Sequence, residues 1–103
     1  MKPSVAILMG SDSDAPALKA CGEILRELGI HFTAKVLSAH RTPDETVEFV
    51  KSAKKEGIRV LICAAGGAAH LAGVAAANTV LPVIGIPVET TSFKGMDSLL
   101  STV

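Results

Sequence analysis

The stretch Val5-Ala-Ile-Leu-Met9, followed directly by Gly10-Ser11-Asp12-Ser13-Asp14, decides the fold class of this chain. Five apolar residues in a row, without polar alternation, predict a strand that is buried on both faces of a parallel sheet. Ser13 or Asp14 can cap a helix, and Pro16 is tolerated in its first turn. Apolar residues then recur at helical spacing until a glycine stops the run: Leu18, Cys21, Leu25, Leu28 and Gly29.

The same order of strand and helix repeats along the chain. Further strands are predicted over residues 32–38, 59–64 and 80–88, and further helices over residues 42–57, 68–78 and 96–103. Thr42 and Glu45 fit a capping box with Pro43 at the first helical position, and helix 68–78 is apolar nearly all round, which predicts burial. This alternation predicts an α/β fold, a three-layer sandwich with a doubly wound parallel sheet, either flavodoxin-like or Rossmann-like.

Composition limits the classes of function. The 103 residues predict a single domain, 1–103, and 10 basic against 10 acidic residues with no Trp or Tyr argue against nucleic-acid and flavin binding. The mean hydropathy of +0.44 is high for a small monomer. Charges, Gly or Pro interrupt every apolar run before it could cross a membrane. We therefore expect a cytoplasmic homo-oligomer without membrane contact, with Cys21 and Cys63 as small buried hydrophobes.

Polar loops follow three of the predicted strands where each strand ends. They are Gly10-Ser11-Asp12-Ser13-Asp14, Ser38-Ala39-His40-Arg41-Thr42-Pro43 and Ala65-Gly66-Gly67-Ala68-Ala69-His70. Ordinary capping and turn chemistry explains each loop taken alone, and a lone histidine after a strand is more often a hydrogen-bonding residue than a catalyst. Ligands of doubly wound sheets bind outside the carboxyl ends of the strands. Three such loops at one edge therefore predict a functional site.

The sequence lacks the motifs of several other common functional sites. The chain has no P-loop, no Gly-x-Gly-x-x-Gly opening either of its first two helices, and no nucleophile elbow of a serine hydrolase. His40 and His70 lack the companion ligands that a zinc site needs, and Asp12 and Asp14 are better interpreted as helix caps, so no metal is expected.

The three loops resemble the signatures of the 5-(carboxyamino)imidazole ribonucleotide mutase family of purine biosynthesis, also called the catalytic subunit of phosphoribosylaminoimidazole carboxylase. The matching blocks are Met9-Gly10-Ser11-x-Ser13-Asp14, Ser38-Ala39-His40-Arg41-Thr42-Pro43, Gly66-Gly67-Ala68-Ala69-His70-Leu71 and Gly95-Met96-Asp97-Ser98-Leu99-Leu100. The resemblance runs from Val5 to Val103. The Arg-Thr-Pro ending of the second block favours the bacterial mutase class over the class that uses free carbon dioxide.

The resemblance implies an isomerase that moves a carboxylate from the exocyclic nitrogen of an aminoimidazole ribonucleotide to a ring carbon, without cofactor or metal. It implies that His40 is the catalytic acid and base, that Arg41 pairs with the phosphate and that Asp14 binds ribose hydroxyls. His70 is expected to line the pocket, and a direct role for it stays open. The implied substrate-binding set is Gly10, Ser11, Ser13, Asp14, Ser38, Ala39, Arg41, Gly66, Gly67, His70 and Leu71.

The chain departs from the family pattern at Cys63-Ala64, at Ala72 and at its end. The last predicted helix has no C-cap and stops on the apolar Val103, whereas family members continue and form octamers. We therefore expect a form that is truncated at the C-terminus. Two alternatives to an active mutase stay open: a flavodoxin-like module that binds a nucleotide phosphate without catalysis, and an inactive truncated subunit.

Overall fold

The computed structural model of the chain describes residues 1–103 and is built on a sheet of four parallel strands. The strands are β1 (Val5–Met9), β2 (Phe32–Val36), β3 (Val60–Gly66) and β4 (Val83–Val88). They lie in the order β2-β1-β3-β4. The predicted doubly wound α/β sheet is confirmed. Because β1 lies between β2 and β3, the order is the flavodoxin-like one of the two topologies that the pattern allows.

Helices cover both faces of the sheet. They are α1 (Ala15–Glu27), α2 (Pro43–Ala53), α3 (Leu71–Ala77) and α4 (Met96–Thr102), and a short 3-10 turn over Asp12–Asp14 precedes α1. On one face Leu18 of α1 packs with Ile7. On the other face Val50 of α2 and Leu71 of α3 pack with Leu61, and α4 lies against β4 and α3. None of these helices combines the length and apolarity that a membrane crossing requires.

The strand ends differ from the sequence prediction for identifiable reasons. β2 ends at Val36 rather than at residue 38, because the N–H of Ser38 bonds to Thr42 Oγ1 at 3.0 Å instead of to a strand. β4 begins at Val83, after Pro82, and β3 continues to Gly66. Pro87 is compatible with β4 because this strand lies at the edge of the sheet, where one side of the backbone has no partner strand.

The helix starts also differ. The predicted capping box of Thr42 and Glu45 does not form, because the Thr42 hydroxyl is bonded to the backbone of Ser38 and makes no cap bond. A capping box forms instead between Ser11 and Asp14, at the start of the 3-10 turn. A capping box therefore forms in this chain, but at Ser11 and Asp14 and not at the pair that the sequence predicts.

The Ala-rich helix is shorter and less buried than predicted. α3 covers only Leu71–Ala77, because residues 68–70 form a tight turn in which the N–H of His70 bonds to Ala68 O at 3.1 Å. Leu71 and Ala75 are buried, whereas Ala76 and Ala77 on the opposite side are exposed. The chain by itself therefore buries one side of α3 and leaves the other side exposed.

Both cysteines are free thiols, and Cys63 lies in the core while Cys21, a residue of α1, is half-buried. Burial raises the pKa of the Cys63 thiol to about 12. A thiol that stays protonated is a poor nucleophile, so Cys63 behaves as the small hydrophobe that the sequence predicts.

Candidate active site

A cleft of ≈ 430 Å³ opens at the carboxyl ends of the strands. It is lined by Gly10, Ser11, Ser13, Asp14, Ser38, Ala39, His40, Arg41, Ala65, Gly66, Ala68, His70, Leu71 and Thr90. Every site residue named from the sequence lines this cleft except Gly67. The three polar loops therefore meet at one edge, as the β-α alternation predicted.

The first loop presents a fixed carboxylate. Asp14 is buried, and its Oδ2 accepts the backbone N–H of Ser11 at 3.1 Å. The Ser11 Oγ in turn accepts the N–H of Ser13 at 3.3 Å and the hydroxyl of Ser13 at 3.0 Å. These bonds hold the carboxylate in one orientation and leave its Oδ1 for a ligand hydroxyl.

The second loop, called the serine loop below (residues 38–42), is organised around a buried hydroxyl. Ser38 Oγ accepts the N–H of His40 at 3.3 Å and the N–H of Arg41 at 3.1 Å. The Ser38 carbonyl accepts the hydroxyl of Thr46 at 3.1 Å. Ser38 therefore shapes the loop that carries the two charged or titratable side chains, in addition to lining the cleft.

Arg41 bridges the serine loop and the first loop. Its Nη2 donates to the carbonyl oxygen of Gly10 at 3.0 Å. A guanidinium has five N–H donors in a planar fork, so this bond anchors the side chain while other donors remain available for an anion. A phosphate or carboxylate is the group that such a fork binds best.

The two histidines meet in the cleft. His40 Nε2 lies 3.1 Å from Ala68 O and 3.1 Å from His70 Nδ1, and the ring planes are inclined at 63°. A carbonyl oxygen only accepts hydrogen bonds, so the contact with Ala68 requires a hydrogen on His40 Nε2. At the contact between the two rings, His70 Nδ1 is then the acceptor. In the neutral form of His70 the ring hydrogen therefore lies on Nε2 of His70.

The third loop, called the glycine loop below (residues 66–70), allows a close backbone approach. A Cβ on Gly66 would lie 2.9 Å from Thr90 Cγ2 and 3.3 Å from Val88 O, so no larger residue fits there without displacement. Gly67 has a φ of +66°, in the left-handed region that favours glycine. Its N–H bonds to Ser98 Oγ at 2.9 Å, which is why Gly67 faces away from the cleft.

Sequence reasoning missed three lining residues: Ala65, Ala68 and Thr90. Ala65 and Ala68 lie inside the quoted loop but carry no functional group that would single them out. Thr90 follows β4, so the rule that placed the other loops at this edge could have found it. No group of three or more His, Cys, Asp or Glu side chains is arranged to hold a metal ion.

Comparison with known proteins places this geometry in a family. A family model described as AIR carboxylase matches residues 4–103. The chain is 54% identical to the N5-carboxyaminoimidazole ribonucleotide mutase of Thermotoga maritima over 98% of its length, and 53% identical to that of Bacillus subtilis over its whole length. It covers 59% and 64% of those two proteins, so it spans about three fifths of the curated relatives it matches.

A solved structure agrees with these relatives. The crystal structure of Treponema denticola PurE superposes with a TM-score of 0.81 at 31% sequence identity, over 95% of this chain and 64% of that one. The resemblance noted from the loop sequences is confirmed by these matches. Since the family model spans nearly every residue from the start of β1 to the end of α4, this chain belongs to the AIR carboxylase family.

Proposed function

We propose that this site isomerises 5-(carboxyamino)imidazole ribonucleotide to 4-carboxy-5-aminoimidazole ribonucleotide, an intramolecular transfer of a carboxylate in purine biosynthesis. The observation that carries the proposal is the position of His40, which lies where the serine loop and the glycine loop touch, inside a cleft lined by Arg41 and Asp14. The mutase names of relatives above 50% identity support the same reaction.

The cleft offers separate groups for the parts of a ribonucleotide. The guanidinium of Arg41, anchored on Gly10 O, suits the phosphate. The buried carboxylate of Asp14 and the hydroxyl of Ser11 suit the ribose hydroxyls. Gly66 and Ala68 line the cleft without bulky side chains, which leaves room for a flat heterocycle beside His40.

His40 is proposed to move the protons of the reaction. The bond between the exocyclic nitrogen and the carboxylate breaks, its electron pair stays on nitrogen, and His40 in its protonated form supplies a proton there as carbon dioxide leaves. The electron-rich ring carbon then attacks the carbon dioxide, and neutral His40 removes the hydrogen from that carbon. His40 returns to its starting state, and the atoms balance. Acid-base help of this kind contributes about 10² to 10⁴ in rate.

His70 is proposed to hold the neutral His40 ring in a defined tautomer. Its Nδ1 accepts at the 3.1 Å contact with His40 Nε2, and the two nitrogens cannot both present a hydrogen there. His70 is itself exposed to solvent, which gives the pair a route for proton exchange with water. This is a positioning role and not a contact with the reacting atoms.

We further propose that the chain self-associates. Four large apolar side chains are largely exposed on or next to α4: Phe93, Met96, Leu99 and Leu100. Together they form a candidate contact between copies of the chain.

Turnover measured on this chain tests the proposed reaction. The carboxyamino substrate is mixed with the chain, and formation of the 4-carboxy product is followed against the spontaneous loss of carbon dioxide in buffer. Product formation that depends on His40 supports the mutase. Binding of the 4-carboxy ribonucleotide, seen as a raised melting temperature, without any interconversion would make the site a binding module instead.

A further inference from the structure

The glycine loop is held from the far end of the chain. The N–H of Gly67 donates to Ser98 Oγ at 2.9 Å, and the N–H of Ala69 donates to Ser101 Oγ at 2.8 Å. Both serines belong to α4, more than thirty residues away in sequence. Two successive turns of one helix therefore satisfy two N–H groups of the loop, spaced two residues apart.

The two serines are set for this contact. Ser98 is fully buried, and its hydroxyl donates to Val88 O at 2.6 Å while accepting from the loop, which ties the end of β4 to Gly67. Ser101 Oγ accepts from Ala69 and lies 2.6 Å from Asp97 O and 3.1 Å from Gly67 O, so its hydrogen bonds to a carbonyl of α4 or of the loop. Neither serine is among the residues that line the cleft.

Ala68 lies between the two residues that these serines hold. Its carbonyl oxygen is 3.1 Å from His40 Nε2. The Ala68 carbonyl and the Ala69 N–H belong to one planar peptide group, so the bond from that N–H to Ser101 sets the direction of the carbonyl, while Ser98 holds the start of the loop at Gly67. The chain of contacts therefore runs from α4 through the glycine loop to the ring of His40.

We propose that Ser98 and Ser101 are positioning residues for His40: they hold the Ala68 carbonyl against Nε2 and so select the His40 tautomer that carries its hydrogen on that nitrogen. This inference rests on the proposed function for its catalytic consequence, while its structural part can be measured without substrate. If the carbonyl moves away, His70 can donate from Nδ1, and His40 Nε2 becomes an acceptor, which is the other tautomer.

Ser101→Ala is the primary variant, because Ser101 is only half-buried and its loss leaves the core intact. Ser101→Thr restores a hydroxyl at the same position. Ser52→Ala is the matched control, since Ser52 is a half-buried serine in α2 whose hydroxyl also bonds back to its own helix, to Phe49 O at 3.1 Å, but reaches no loop. Ser98→Ala tests the second hydroxyl where that variant folds.

The first readout is the ¹⁵N NMR spectrum of the His40 ring in the ligand-free chain. The Nε2–H tautomer should dominate in the wild type, in Ser101→Thr and in Ser52→Ala, and the Nδ1–H tautomer should gain a measurable share in Ser101→Ala. An unchanged His40 tautomer in a folded Ser101→Ala chain would overturn the proposal, whether or not the chain turns over.

The second readout is kinetic. Ser101→Ala should lower kcat by about 10- to 100-fold with little change in KM, because a misdirected acid-base group affects the reaction more than binding. Ser101→Thr should recover most of the loss. An active chain in which Ser101→Ala matches Ser52→Ala in kcat would refute the positioning role and leave the mutase proposal standing. A changed tautomer in a chain without turnover would leave the positioning role standing and refute the mutase.

Discussion

The serine loop and the glycine loop both deliver a histidine to the cleft, but they are ordered in different ways. The serine loop is closed by its own neighbours: the partners of Ser38 are two to eight residues away. The glycine loop is closed by hydroxyls that are 31 and 32 residues away. Contacts between residues close in sequence cost little conformational entropy of loop closure. Contacts between remote residues form only when the whole sheet is in place.

This difference predicts which of the two loops keeps its conformation when the structure around it is disturbed. The serine loop should keep its shape as long as α2 is folded, since Thr46 of α2 bonds directly to Ser38 O. The glycine loop should lose its shape whenever α4 detaches, even with β3 intact. The contact of His40 with Ala68 joins the two loops. The first experiment below acts on this contact, and the experiments after it act on one loop at a time.

The largest effect is expected where the two loops touch. His40→Asn should lower turnover by about 10² to 10⁴, because the amide cannot exchange protons with the substrate. Affinity for the 4-carboxy ribonucleotide should stay within about tenfold. Steady-state kinetics and calorimetric binding measure the two quantities, with His31→Asn as the control at an exposed histidine outside the cleft. A parallel loss of binding and turnover would make His40 a structural residue.

The two modes of ordering should also differ in stability. Ser98→Ala leaves the N–H of Gly67 and the carbonyl of Val88 without their partner, and should lower the free energy of unfolding by about 1–3 kcal/mol.

Thr46→Val is the matching variant for the serine loop, because Thr46 of α2 donates to Ser38 O. It keeps the side-chain volume, and Ser38 O still accepts the N–H of Thr42, so a cost of about 1 kcal/mol or less is expected. Urea unfolding gives both values, and amide exchange should quicken at Gly67 in the first variant only. Equal costs and equal exchange would remove the distinction between the loops.

Arg41 tests whether the serine loop also binds the phosphate. Arg41→Lys replaces a two-pronged donor by a point charge and should weaken ribonucleotide binding by roughly 10- to 100-fold. The corresponding nucleoside, which has no phosphate, should bind the variant and the wild type equally. Arg59→Lys is the control at an exposed arginine before β3, remote from the cleft. If Arg41→Lys weakens nucleoside binding as much as ribonucleotide binding, Arg41 does not bind the phosphate.

Cys63, in the strand that leads into the glycine loop, should make the stability of the chain depend on pH. Its pKa is raised by burial from 9.0 to about 12. The stability that the neutral thiol contributes is therefore complete below pH 9 and is lost as pH rises towards 12. At pH 10 the loss should be on the order of 1 kcal/mol.

Cys63→Ala removes this thiol, so the pH dependence should be measured as a difference. The gap in unfolding free energy between the wild type and Cys63→Ala should shift against the wild type between pH 8 and pH 10. A gap that stays constant over this range would show that the thiol does not titrate abnormally.

Several features were predictable because they depend on residues close in sequence. The apolar run Val5–Met9 forms β1 as predicted, and Gly29, with a positive φ, follows the cap of α1. The predicted stop at Gly57 is wrong, because α2 already ends at Ala53. The capping box predicted at Thr42 does not form because its hydroxyl bonds to the backbone of Ser38, and a capping box forms at Ser11 instead.

The sequence by itself determined the strands, the helices and the polar loops at their ends, because periodicity and turn chemistry act over a few residues. It thereby placed His40, Arg41 and Asp14 at one edge. Only the tertiary structure decided that β1 lies between β2 and β3, that His40 meets His70, and that hydroxyls of α4 hold the glycine loop. These contacts join residues roughly thirty positions apart in the sequence. They form only when the order of the strands in the sheet has brought the loops at the strand ends next to one another.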